Sequence, residues 1–234
     1  LLRALGFYRK AHFHATTPEE VPAISYFTGT PQNRIGLAPN LPRKIHQKRM
    51  DIEKKAGSLR LVSIARIAPE KNTRYMLQRL AETQGQEIHL DIYGQIYNKS
   101  YWAQCQALMA KLPKGVTARY HGSIPADEIP QRLQQSHALF MPTTGENFGH
   151  SIIEALAAGR PVLISDRTPW RGLEEKNAGW DFPLNQPRKF SETLRQLAAM
   201  PQNTFQVYCD GAYGLAKAFS DDKALIGKSL RLFE

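Results

Sequence analysis

From Leu61 onward, short apolar runs alternate with stretches of helical periodicity, and this alternation limits the fold more than any other feature of the 234-residue chain. Runs at 61–65, 88–93, 117–121, 138–142 and 161–165 have the length and composition of buried strands. Stretches at 72–84, 100–111, 126–135, 149–158 and 188–199 read as helices. A helix after each strand carries the chain back to start the next strand in the same direction. The pattern therefore predicts an α/β fold with a doubly wound, Rossmann-like parallel sheet. Ligands of such sheets bind in the crevice beyond the carboxyl ends of the strands, so the strand-to-helix loops are the places to search for chemistry.

Two of those loops carry charge in a suggestive order. The apolar run 138–143 breaks at Pro142, and Glu146, Asn147, Phe148, Gly149 and His150 then lead into a helix ended by Gly159. Glu154 lies inside that helix, eight positions after Glu146, and is the only charged residue between Glu146 and Arg160. A carboxylate in an apolar stretch calls for a partner, and a pair of ribose hydroxyls would serve as one. The helix start offers unsatisfied N–H groups and the positive end of a dipole, which suit phosphate. Spacing alone fits a solvated helix face equally well. The strand 61–65 ends at Arg66, with Lys71 in the same loop. Arg offers a planar fork and Lys a mobile point charge for phosphate oxygens, although both residue types are also ordinary solvated loop cations.

Taken together these stretches resemble the C-terminal half of the GT-B glycosyltransferases, specifically glycosyltransferase family 4, the glycosyl transferases group 1. The resemblance covers about residues 12–234 and rests on signatures in family order: Arg66 to Asn72 with its Arg-x-x-x-x-Lys spacing, 90–94 ending at Gly94, 120–124, Glu146 through Glu154 as E-x7-E, and 155–165 as helix, Gly159, Pro161 and strand. It implies that Arg66 and Lys71 neutralise a donor diphosphate, helped by backbone groups of Phe148, Gly149 and His150. It implies that Glu154 binds ribose and that Glu146 faces the donor sugar as the catalytic carboxylate. Gly94, His121, Gly122 and Ser123 would lie near the base. Asn147 and His150 depart from the family's usual residues there; His150 is either a contact to sugar or phosphate, or a helix cap.

The resemblance also divides the chain. Residues 1–41 would be a remnant of the N-terminal, acceptor-side domain, 42–60 a basic linker, 61–203 the nucleotide-sugar-binding domain and 204–234 a C-terminal helical segment. Locally, 3–10 read as a helix and 11–15 as a strand. Thr17 reads as the N-cap of the next helix, with Pro18 at its first position and Glu20 completing a capping box. Residues 33–40 read as a strand and exit turn. Leu1 in place of Met leads to the expectation of a fragment or a trimmed chain.

The formal charge of +10 favours anionic partners. Much of the excess sits in Arg43, Lys44, Lys48, Arg49, Lys54, Lys55 and Arg60, which is either a solvated linker or a surface for peripheral contact with an anionic membrane. No recognisable nucleic-acid module is present. Cys105 and Cys209 form no C-x-x-C pair, which fits a reducing cytoplasm. His12 and His14 alternate without a third ligand, so no metal site is expected. No apolar run approaches the roughly 20 residues of a membrane helix. Tyr93, Tyr97, Tyr101 and Trp102 read as core or docking aromatics, with stacking on a base or sugar as the other option. Trp170 lies near the expected pocket mouth.

The activity implied is retaining transfer of a sugar from a nucleoside diphosphate to a hydroxyl of a saccharide or lipid-linked acceptor, without metal or other cofactor, commonly in polysaccharide assembly. This chain would be mainly the donor-binding half, inactive alone. The alternatives are a GT-B nucleotide-sugar epimerase or phosphorylase, and a noncatalytic basic nucleic-acid-binding domain. No G-x-G-x-x-G follows a strand, which disfavours a dehydrogenase.

Overall fold

The structure, a computed structural model, describes residues 2–3, 5–8, 10–41 and 49–232. Residues 1–44 and 218–234 form one compact unit, and residues 45–217 form another.

In the first unit, strand β1 (Phe13–Ala15), helix α1 (Glu20–Thr28) and strand β2 (Ile35–Leu37) follow one another, with β1 and β2 parallel and Phe13 opposite Ile35. The described residues of 3–10 form turns, not the expected helix. Helix α1 starts at Glu20, later than the Thr17 cap implied. The Glu20 carboxylate reaches back to the Thr16 N–H at 2.6 Å, the Thr16 hydroxyl at 2.8 Å and the Thr17 N–H at 3.3 Å. One side of the capping box thus forms, while the Thr17 hydroxyl makes no cap bond. Gly29, at φ +76°, closes α1 by donating its N–H to the Ser25 carbonyl.

In the second unit, β3 (Ser58–Ile64), α2 (Thr73–Leu80), β4 (Glu87–Tyr93), α3 (Lys99–Met109) and β5 (Val116–Tyr120) come first. Then follow α4 (Ile129–Gln134), β6 (Ala138–Met141), α5 (His150–Ala157), β7 (Val162–Ser165), β8 (Gly179–Phe182), α6 (Pro187–Ala199) and α7 (Gln202–Ser220). The six strands form one parallel sheet in the order β5-β4-β3-β6-β7-β8. The chain begins in the middle, walks out to β5, returns to β6 beside β3, and walks out to β8. The strand order therefore reverses between β3 and β6, the switch point where a doubly wound sheet opens a crevice.

Strand β8 is the element that apolar patterning misses. It has four residues and carries Asp181 in its middle. Its first residue explains the close fit: Gly179 sits at φ +143°, and a Cβ there would meet the Val162 carbonyl oxygen at 2.0 Å. The described residues of the expected C-terminal helical segment form two helices. Helix α7 begins at Gln202, and the first unit's last helix, α8 (Lys223–Leu230), is capped separately by Asp222, whose carboxylate accepts the Ala224 N–H at 2.8 Å.

The sheet core is built from Leu59, Leu61, Leu90, Phe140 and Leu163, with Met76, Leu77, Phe190 and Leu197 packed on from the helices. Full burial of each such side chain contributes on the order of 1.5–3 kcal/mol.

Two buried cations tie helix ends to this core. Arg160 is 1% exposed, and its guanidinium donates to the carbonyls of Met50 at 2.7 Å, Gln134 at 2.9 Å and Leu133 at 3.2 Å. It thereby satisfies the C-terminal end of α4. Lys54 is 3% exposed and its ammonium donates to Ala198 at 2.8 Å, Lys55 at 3.0 Å and Met200 at 3.2 Å, around the end of α6. Burial lowers its pKa to about 8. Lys54 therefore does not belong to a solvated or membrane-facing cluster, and Arg49 is engaged with Asp210 and Asp51. Arg43, Lys44 and Lys48 lie outside the described residues.

Candidate active site

The crevice between β3 and β6 is framed by the loops that leave the two strands. After β3 the chain passes Arg66, makes a short 3-10 turn over Pro69–Lys71 and enters α2 through Asn72, which adopts φ +60°. After β6 it passes Thr143, Thr144 and Glu146 and enters α5 through Gly149, at φ +79°. The two loops are stitched together. The Glu70 carbonyl accepts the Thr144 N–H at 2.8 Å and the Thr143 hydroxyl at 2.9 Å. The Asn72 side-chain amide donates to the Pro142 carbonyl at 3.0 Å. Asn72, Thr143 and Thr144 escaped sequence reasoning, because a Thr or Asn in a loop carries no signal of its distant partner.

The stitching brings Lys71 and Glu146 together: Nζ lies 2.5 Å from Oε1, with side chains 12% and 18% exposed. The expected phosphate cation and the expected sugar-facing carboxylate are thus neighbours at the switch point. Arg66 stands at the rim, 51% exposed. It pairs with Glu70 at 3.3 Å and its guanidinium lies 5.1 Å from the centre of the Tyr97 ring. Tyr97 is itself 61% exposed.

Helix α5 presents its N-terminus to the same crevice. Among the described residues, the N–H groups of Gly149, His150 and Ser151 have no partner within the chain, as the first turn of a helix leaves them. A Cβ on Gly149 would lie 2.7 Å from the Ile152 side chain in a left-handed backbone, so glycine is needed for this entry. Ile152, Ile153, Ala155 and Leu156 face the core. His150, Ser151, Glu154 and Ala157 form the opposite, more open stripe, so Glu154 follows His150 by one turn on the same face. The exposed His150 ring meets the edge of Phe148 at 4.8 Å.

The residues expected near a base gather at the ends of β4 and β5. His121 Nε2 is 2.6 Å from Asp91 Oδ1, and the ring stacks on Tyr93 at 4.8 Å and 16°. The Gly94 N–H donates to the Gly122 carbonyl at 2.8 Å, and the Tyr120 hydroxyl donates to the Gly94 carbonyl at 2.8 Å. Gly94 passes under the end of β3, where a Cβ would meet the Ala65 carbonyl oxygen at 1.9 Å. Ser123 is exposed beside them. Tyr101 and Trp102 are buried docking aromatics, each 8% exposed. Trp170 is buried too, at 7%, and lies behind the α5 entry loop instead of at the pocket mouth. His14 Nε2 meets the Ala38 carbonyl at 2.6 Å. Among the described residues no cluster of three or more His, Cys, Asp or Glu side chains could hold a metal ion.

A family model described as "Glycosyl transferases group 1" matches residues 44–207. The chain belongs to that family. Within the glycosyl transferases group 1, it is 32% identical over 120 residues to a 2-deoxystreptamine glucosyltransferase of Streptomyces kanamyceticus, a match covering 50% of this chain and 30% of the relative. Among solved structures it is similar to a TarM mutant of S. aureus in complex with fondaparinux, alpha-GlcNAc-glycerol and UDP (TM-score 0.75, 16% identity, 94% of this chain and 43% of that one). It is also similar to WaaG, a glycosyltransferase of lipopolysaccharide biosynthesis (TM-score 0.73, 15% identity, 93% of this chain and 61% of that one). It is similar as well to the pneumococcal O-GlcNAc transferase GtfA in complex with UDP and GlcNAc (TM-score 0.64, 18% identity, 94% of this chain and 44% of that one). The chain spans less than two thirds of the length of each of these relatives. The parallel sheet and its flanking helices have the Rossmann-like fold of a domain of the GT-B glycosyltransferases, as the sequence resemblance implies.

Proposed function

We propose that this chain is the donor-binding half of a retaining glycosyltransferase that moves a sugar from a nucleoside diphosphate to a hydroxyl acceptor. The observation that carries this is the convergence of Lys71 and Glu146, 2.5 Å apart, in front of the α5 N-terminus at the sheet's switch point. Cleaving the bond between an anomeric carbon and a diphosphate builds negative charge on the leaving group and positive charge on the sugar. Lys71, Arg66 and the open N–H groups of α5 are placed for the first, and Glu146 for the second, a preorganised electrostatic arrangement that needs no metal ion. On donor entry, Lys71 turns from Glu146 to the phosphates, and Glu146 is released to a sugar hydroxyl. Glu154, one turn into α5, takes the ribose hydroxyls. Residues 121–123 and the Asp91–His121 pair border the base.

Acceptor contacts belong to the other half of a GT-B enzyme, so this chain by itself is proposed to bind donor weakly and transfer nothing. The test is calorimetric titration with UDP, GDP and ADP, beside Arg66→Ala and Glu154→Ala. UDP comes first, because it occupies the similar TarM and GtfA structures. Saturable binding of one nucleotide, weakened at least tenfold in both variants, supports the donor site. Binding left intact by both substitutions refutes the assignment of these residues.

A further inference from the structure

The loop that follows β7 runs beside the loop between β6 and α5 and grips it at three successive points. The Ser165 hydroxyl donates to the Thr143 carbonyl at 2.5 Å. The Arg167 carbonyl accepts the Glu146 N–H at 2.9 Å. The Trp170 indole N–H donates to the Phe148 carbonyl at 2.6 Å. The tryptophan is itself fixed by a local turn, in which the Thr168 hydroxyl oxygen accepts the Trp170 N–H at 3.2 Å. Its ring meets Phe148 edge-on at 6.0 Å, and Phe148 in turn supports His150.

A trans peptide unit is planar, with C=O and N–H on opposite sides. Holding the Phe148 carbonyl against the indole therefore aims the N–H of Gly149 away from Trp170. That N–H is the first of the three open donors at the entry to α5. The same grip, two residues after the Glu146 N–H is held, sets where Glu146 leaves the loop. A large buried aromatic is a rigid support for such a turn, because its two torsions are locked by packing.

We propose that Trp170 is a positioning residue for the phosphate and sugar end of the site, acting through the Phe148–Gly149 peptide; its functional half rests on the donor-site assignment above. The indole does not touch the donor. It fixes the direction of a backbone donor that does, and the foothold of Glu146.

Trp170→Phe retains a ring against Phe148 and removes only the N–H. Hydrogen exchange followed by mass spectrometry tests the structural half without any ligand. The hydrogen-bonded amides of this turn, those of Glu146, Ile152 and Ile153, are expected to exchange at least tenfold faster in the variant, with peptides over β6 and β7 unchanged. Equal rates at Glu146, Ile152 and Ile153 overturn the proposal, and acceleration across the whole sheet overturns it as well, since it marks a tryptophan that only supports the core. Calorimetry then tests the functional half. The variant is expected to bind UDP at least fivefold more weakly than the parent chain and UMP within twofold, because only the second phosphate reaches the turn. Equal losses for UDP and UMP overturn this half. A parent chain that binds no nucleoside diphosphate refutes the donor-site assignment and this half with it, and the exchange rates still decide whether Trp170 fixes the turn.

Discussion

Lys71 and Glu146 stand 75 residues apart in sequence and meet at 2.5 Å, each less than one-fifth exposed. Removing one partner strands the other in a poorly solvated place. Lys71→Met is expected to cost about 2 kcal/mol, and a cycle completed with Glu146→Gln to give a coupling of about 1–3 kcal/mol by chemical denaturation. Additive effects would show that the two charges do not depend on each other. Glu146→Gln also frees Lys71 for phosphate, so UDP is expected to bind about fivefold more tightly, a gain near 1 kcal/mol by calorimetry.

His137 provides a pH-dependent contribution. It is 2% exposed; Nδ1 accepts the Arg60 N–H at 2.9 Å and Nε2 meets the Glu53 carbonyl at 3.0 Å. That pairing requires the neutral ring, with its proton on Nε2. Burial lowers the pKa to about 4 from the ordinary 6.5. Between those values the unfolded chain binds the proton and the folded chain does not, so stability is full above pH 6.5 and declines as pH falls toward 4. The expected loss is about 3 kcal/mol across that window at 1.36 kcal/mol per pKa unit, and His137→Gln should flatten that part of the pH profile. Thermal unfolding from pH 4 to pH 7 is the measurement.

Arg160 is surrounded by carbonyl oxygens from Met50, Leu133 and Gln134. Arg160→Met leaves them buried without their donor, at an expected cost of about 2–4 kcal/mol after relief of the buried charge. Arg160→Lys keeps one or two of the bonds and should fall in between. Urea denaturation midpoints rank the three proteins, and a methionine variant as stable as the parent would remove the capping role from Arg160.

Gly94 and Gly145 offer a matched pair. A Cβ on Gly94 enters the Ala65 carbonyl at 1.9 Å, whereas one on Gly145 meets nothing within 4 Å. Gly94→Ala is expected to destabilise by about 3 kcal/mol or more, and Gly145→Ala to change stability by about 0.5 kcal/mol at most. Differential scanning calorimetry of both variants checks the contrast.

The parallel sheet could be read from the sequence because its central strands are buried on both faces and are therefore largely apolar, as in 138–141 and in 61–64, where Ser63 is the one polar residue. Strand β8 could not, since its edge position tolerates Asp181 and its fit depends on Gly179 lying against Val162. Arg66, Lys71, Glu146 and Glu154 were visible as charges at strand ends and helix starts. Their mutual arrangement was not, because it is set by hydrogen bonds between loops, such as Asn72 to Pro142, that leave no periodic trace. Lys54 misled for the opposite reason: in a basic run it looks solvated, and only the fold shows the helix end it closes.

Strands β3 and β4 are in register over seven residue pairs, but β3 and β6 over only two, Leu61 with Ala138 and Val62 with Leu139. The sheet is thus two three-stranded wings sharing a short joint, and the crevice is the gap left where that joint ends. A diphosphate held by Arg66 and Lys71 on one wing and by the α5 turn on the other would be a crossbar over the joint. On the proposed donor site the ligand would complete the sheet mechanically at its narrowest point, and the molecule gripped there would also brace the fold.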